Sequence, residues 1–149
     1  MLLANPVAPA LIAAIASMMA AQLLKPFWVL ATEGRLDWRR AFDTGGMPSS
    51  HTSLVTTLTV VIGAEEGLSS SMFAVALVFS GYFVFEATGL RQEVGQQARV
   101  LNEMIEEFVH EHDVTVDERR LRELVGHTWS EVIGGIVVGV LVFLLYQRM

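Results

Sequence analysis

Residues 45–64 read Gly-Gly-Met-Pro-Ser-Ser-His-Thr-Ser-Leu-Val-Thr-Thr-Leu-Thr-Val-Val-Ile-Gly-Ala, and their character changes at His51. Before it, two glycines loosen the backbone, Pro48 fixes one φ angle, and Ser49 and Ser50 offer hydroxyls. After it, Thr52 to Ala64 is almost wholly apolar or β-branched. A small-residue loop therefore runs into a segment fit for a membrane, with a titratable ring at the junction. The first N–H groups of a helix have no intrahelical partner and carry the positive end of its dipole, so such a junction suits an anion. A histidine at one helix start is most often a cap or a bystander. The rest of the chain decides whether this one is more.

The composition points to a membrane. Hydrophobic residues make up 52% of the 149, charged residues only 17%, and the mean hydropathy is +0.47. The charges fall between apolar runs. A formal net charge of −6, with no basic stripe, argues against a nucleic-acid partner. The chain has no cysteine, which excludes disulfides, thiolate nucleophiles and thiolate metal sites.

Four apolar segments follow from this. The first, Pro6 to Leu24, is about 18 residues or roughly 27 Å as a helix; Lys25-Pro26 is expected to end it, with Phe27 and Trp28 as interface anchors. Residues 29–50 form a polar connection. The second segment, Thr52 to Ala64, is short, and its hydroxyls place it inside the bundle; a full crossing and a half crossing both remain open. The third runs from Met72 to Thr88, and the fourth from Glu131 to Tyr146. Between them, residues 92–125 show a helical period in Val94, Ala98, Leu101, Ile105 and Phe108, opposite a glutamate-rich face. The expected fold is all-α: one integral membrane bundle of about four transmembrane helices over residues 1–149, with a soluble helical insertion. Gly135 and Gly139 form a small-residue face that predicts a close helix contact, either within the bundle or across a homodimer.

The cations give an orientation. Lys25, Arg35, Arg39 and Arg40 lie between spans one and two, and Arg91, Arg99, Arg119, Arg120 and Arg122 between spans three and four; only Arg148 lies on the other side. The positive-inside rule puts both cation-bearing connections in the cytoplasm, provided the second segment crosses. Lys25, His51, Glu86, Arg91, His127 and Glu131 then meet at one mouth of the bundle. Ionisable groups at membrane depth are costly and default to a functional reading.

Two histidines with cations suit phosphoryl transfer without a metal or other cofactor. Cations neutralise the phosphate oxygens, one histidine attacks phosphorus, and the other protonates the leaving oxygen. A carboxylate must fix the tautomer of the attacking ring. Glu131 lies four residues after His127, one helical turn away. Thr128-Trp-Ser-Glu131 also fits a capping box, in which Glu131 returns to the backbone of Thr128, and Glu86 would then orient the ring.

These residues also carry a resemblance. Gly45-Gly-Met-Pro-Ser-Ser-His51, Glu86-Ala-Thr-Gly-Leu-Arg91, Gly95-Gln-Gln-Ala98 with Leu101-Asn102, and Leu124-Val-Gly-His127-Thr-Trp-Ser-Glu131 are similar to the divergent branch of the type-2 phosphatidic acid phosphatase superfamily. The similarity covers nearly the whole chain. It implies a multi-pass protein of prokaryotic or plastid type, here a bacterial plasma membrane, acting on a lipid phosphate. By resemblance His127 is the nucleophile and His51 the general acid, while Lys25, Ser49, Ser50 and Arg91 or Arg122 bind the phosphate. The chain departs from the superfamily pattern in two places. Leu121 stands where the arginine six residues before the nucleophile belongs, and Thr32 stands where the first motif has arginine.

Overall fold

A computed structural model describes residues 9–43, 45–112 and 127–148, apart from the side chains of residues 90–92, 110 and 112. The regular secondary structure among the described residues is helical. Five α-helices, α1 (Pro9–Glu33), α2 (Ser50–Glu66), α3 (Ser71–Thr88), α4 (Leu90–His112) and α5 (Trp129–Tyr146), are joined in part by a short 3-10 turn at Trp38–Phe42. By length and composition three helical stretches can cross a membrane: α1, α5, and a stretch from Ser71 to Val109 that includes α3.

The helix α2 is the axis of the bundle, with α1, α5 and α3 all packed on it. At 17 residues it is about 25 Å long. Its first turn meets the start of α5, where the Ser49 N–H donates to the Glu131 carbonyl, and its last turn meets the end of α5, where Tyr146 donates to Glu65. It therefore runs alongside α5 over the same length. The helices α1 and α3 run antiparallel to it. Ala10 and Ala13 pack near Val61, Ser17 meets Ser53, and on the other side Phe73 meets Gly63 while Ser80 donates to the Val55 carbonyl.

The inside is small and hydroxylic, and the outside is large and apolar. Ala14, Ser17, Ala21, Ser49, Ser53 and Thr57 are almost fully buried, whereas Leu11, Ile12, Phe79, Phe85, Leu141 and Leu145 are exposed. A soluble bundle would reverse this. In lipid there is no hydrophobic drive between helices, so small residues allow close backbones and hydroxyls supply the polar contacts. Thr57 donates to the carbonyls of Ser53 and Gly139, and Thr59 shares a hydrogen bond with Ser80 at 2.6 Å.

One expectation is corrected. Lys25-Pro26 does not end the first helix, which continues to Glu33 with both residues buried inside it. A proline removes one N–H and crowds one carbonyl, and here the flanking packing outweighs that cost: Val29 is buried and Phe27 meets Trp38 edge to face at 5.7 Å. The Gly135–Gly139 face makes its close helix contact within the bundle, against α2. A β-carbon on Gly135 would lie 2.5 Å from the Ser49 carbonyl oxygen, and one on Gly139 would lie 2.8 Å from that of Ser53. That face is already covered by α2.

Candidate active site

His51 and His127 reach the same place from helix starts. Ser49 caps α2, its hydroxyl accepting from the Thr52 N–H, so His51 sits in the first turn. The preceding loop turns at Gly46, where φ is +89°, and lays Met47 and Pro48 against Gly134 of α5. His127 lies one residue before Thr128, the cap of α5. Its N–H donates to the Ala87 carbonyl at 2.9 Å, which ties the approach to α5 onto the end of α3. The two imidazole rings are 6.4 Å apart, centre to centre. His127 is 7% exposed and His51 is exposed.

Glu131 fixes the orientation of the buried ring. Its Oε2 lies 2.7 Å from His127 Nδ1. A carboxylate accepts, so this nitrogen carries a proton, and in the neutral ring the lone pair is then on Nε2. The N–H of Glu131 goes to the Thr128 hydroxyl, so half of the capping box forms while the carboxylate serves the histidine. Helix α5 begins at Trp129. The contact thus reaches across the helix start, from the third helical residue to the residue before the cap.

Among the described residues two openings flank this pair, with no lining residue in common. One is a narrow cleft between α2 and α3, lined by His51, Thr52, Phe83, Glu86, Ala87 and His127. The other is a cavity of about 430 Å³ whose lining includes Lys25, Arg40, Gly45, Gly46, Ser130 and Glu131. The His127–Glu131 hydrogen bond joins the two. Lys25 is 2% exposed and donates to the Asp43 carbonyl at 2.7 Å; Arg40 approaches the Asp43 carboxylate at 3.3 Å.

The residues singled out from sequence are therefore only partly gathered. His51, His127 and Glu86 line one cleft, and Glu131 backs His127. Lys25 belongs to the second cavity. Ser49 is fully buried with its hydroxyl engaged in the first turn of α2, and Ser50 is 2% exposed. The Arg91 side chain and all of Arg122 lie outside the described residues. Sequence reasoning passed over Arg40, Asp43 and Phe83 as site residues. The spacing of Arg40 and Asp43 by three, one turn, was the available signal for the first two. Among the described residues no three or more His, Cys, Asp or Glu side chains are grouped to hold a metal ion.

Comparison with known proteins agrees with this architecture. Residues 7–142 match the divergent PAP2 family, and the chain belongs to that family. It is similar to the uncharacterized membrane protein YuiD of Bacillus subtilis (strain 168), 35% identical over 144 residues covering 91% of each chain. No solved structure matches it.

Proposed function

We propose that this divergent PAP2 family member is a metal-independent membrane phosphatase that hydrolyses a lipid phosphomonoester, such as phosphatidic acid or phosphatidylglycerophosphate, or an isoprenyl diphosphate. The observation that carries the proposal is the His127–Glu131 hydrogen bond of 2.7 Å with the His51 ring 6.4 Å from that of His127. In this reading His127 Nε2 attacks phosphorus as the bond to the lipid oxygen breaks, and protonated His51 gives its proton to that oxygen. Water then attacks the phosphohistidine, His51 takes the water proton, and phosphate leaves with His127 restored. The positive end of α2, with Ser50, and the guanidinium groups of Arg91 and Arg122 serve the phosphate oxygens. Phe83 lines the cleft and gives it an apolar side toward the tail. In this reading the mouth faces the cytoplasm at a bacterial plasma membrane, which the distribution of cations supports.

The test is phosphate release from a panel of lipid phosphates in detergent with chelator present. Wild type should release phosphate, and His127→Ala and His51→Ala should not; equal release by all three rejects the proposal. The second reading is anion binding or transport without hydrolysis. It draws on Lys25 and Arg40 lining a cavity apart from the two histidines. Saturable vanadate or phosphate binding with no release from any lipid favours it.

A further inference from the structure

We infer that the cavity between α1, the 34–49 connection and the start of α5 is a second phosphate site, with Lys25 and Arg40 as its donors. The phosphate it takes is bound and not transferred. The inference goes beyond the phosphatase proposal and does not rest on it; unlike anion binding in place of hydrolysis, it lets both openings work in one molecule. At about 430 Å³ the cavity falls in the range of small-molecule sites, about 300–1,000 Å³. His51 and His127 line the other opening, a narrow cleft.

Two independent observations point to a ligand. The first is Lys25, which lines the cavity and is 2% exposed. A lysine amine has at least two N–H donors in either protonation state. Among the described residues its acceptor is the Asp43 carbonyl, at 2.7 Å. A further donor buried in a membrane protein is costly unless something accepts from it. The second observation is the shape of the loop. Gly45 and Gly46 line the cavity, and a β-carbon on either would meet nothing within 4 Å. Two successive residues without side chains thus keep the space open.

The charges around the cavity fit this use. Arg40 meets the Asp43 carboxylate through Nη1 alone, at 3.3 Å, and a guanidinium fork has further N–H groups that match phosphate oxygens. The two carboxylates on the wall are engaged: Glu33 meets Arg35 at 2.8 Å, and Glu131 meets His127 at 2.7 Å. Trp28, also on the wall, is 43% exposed, so the cavity reaches a surface that carries an interfacial type of side chain. A headgroup phosphate and free inorganic phosphate offer these donors the same oxygens.

The experiment measures binding to the full chain in detergent by calorimetry, with His127→Ala as the background so that no probe is turned over. The probes are inorganic phosphate and dihexanoyl phosphatidylglycerol, with dihexanoyl glycerol as the phosphate-free control. Saturable binding of a phosphate-bearing probe is expected. Lys25→Met and Arg40→Gln should each weaken it about 10- to 100-fold, the scale of a hydrogen bond to a charged group. Gly45→Leu fills the cavity and leaves both cations in place, and should weaken binding at least about tenfold. Binding of inorganic phosphate makes the ligand the free ion; binding of the lipid alone makes it a headgroup. Binding that Gly45→Leu leaves unchanged overturns the inference, because the anion then sits elsewhere. No binding of either probe, or equal binding of the phosphate-free control, also overturns it. If Gly45→Leu does not fold, Arg40→Gln decides on the same terms. Phosphate release by wild type is measured apart: its absence rejects the phosphatase and leaves this result standing.

Discussion

Gly135→Ala is the sharpest perturbation of the architecture that sets the site. Its β-carbon would lie 2.5 Å from the Ser49 carbonyl oxygen, 2.8 Å from Thr52 Cβ and 3.2 Å from the Ser53 nitrogen. None of these is the end of a flexible side chain. Reaching ordinary contact of about 3.4 Å requires α5 to move off α2 by roughly 0.5–0.9 Å. Overpacking of this kind costs about 1–3 kcal/mol, or about 2–10 °C in Tm for a chain of this size. The movement also strains the Ser49 N–H to Glu131 carbonyl bond of 3.0 Å, and so shifts Glu131 and His127 against His51. A misplacement near 1 Å can cost about 100-fold in rate, so phosphate release should fall roughly 10- to 100-fold. Gly139→Ala meets Ser53 and Thr56 at 2.8 Å, two helical turns beyond Glu131, and should lose comparable stability with a smaller loss of activity. Gly81→Ala is the control: its β-carbon meets nothing within 4 Å, so Tm should hold or rise by helix propensity. Thermal unfolding in detergent and phosphate release decide the matter. A Gly135→Ala protein equal to wild type in both would refute the close α2–α5 packing.

The remaining expectations concern single hydrogen bonds. Glu131→Gln can present an amide N–H to His127 Nδ1, which favours the tautomer protonated on Nε2; kcat should fall about 100- to 10,000-fold while Tm changes little, by analogy with loss of a triad carboxylate. Ser49→Ala removes the cap of α2 and should cost about 1 kcal/mol, read as Tm, while vanadate affinity stays unchanged because the Ser49 hydroxyl is turned into the helix. Thr57→Val leaves the Gly139 carbonyl without its hydroxyl partner and should cost about 0.6 kcal/mol, the scale of polar contacts between membrane helices.

The apolar spans could be read because each pattern has one dominant physical cause. Sustained apolar length specifies α1, α3 and α5, and the hydroxyls of Thr52, Ser53, Thr57 and Thr59 correctly put α2 at the centre, where backbone carbonyls and Ser80 receive them. Lys25-Pro26 misled because its two local signals, a charge and a helix breaker, are overridden from a distance. The ammonium is held by Asp43, 18 residues away, and Pro26 is buried in the continuing helix. Lys25 was grouped with the histidines by its depth in the bundle. Depth along the bundle follows from sequence, but which side of Glu131 a side chain enters depends on how residues 34–49 fold back, and a polar loop carries little periodicity to predict that.

Glu131 shows why one stretch can support two readings that only geometry separates. In Thr128-Trp-Ser-Glu131 a glutamate at the third helical position has two nearby uses: the backbone N–H of the cap, or a group just before it. The capping half of the interaction depends on the N–H of Glu131, which Thr128 accepts at 3.4 Å, and the Thr128 hydroxyl also meets that of Ser130 at 2.9 Å. The helix start is thus served by hydroxyls, and the carboxylate is left to turn outward. His127 is held where the carboxylate arrives, because its own N–H is anchored on Ala87 of α3 and its ring is buried. The orienting contact is therefore a product of two elements, the cap of α5 and the end of α3. The four-residue spacing between His127 and Glu131 is necessary for it but does not by itself choose it.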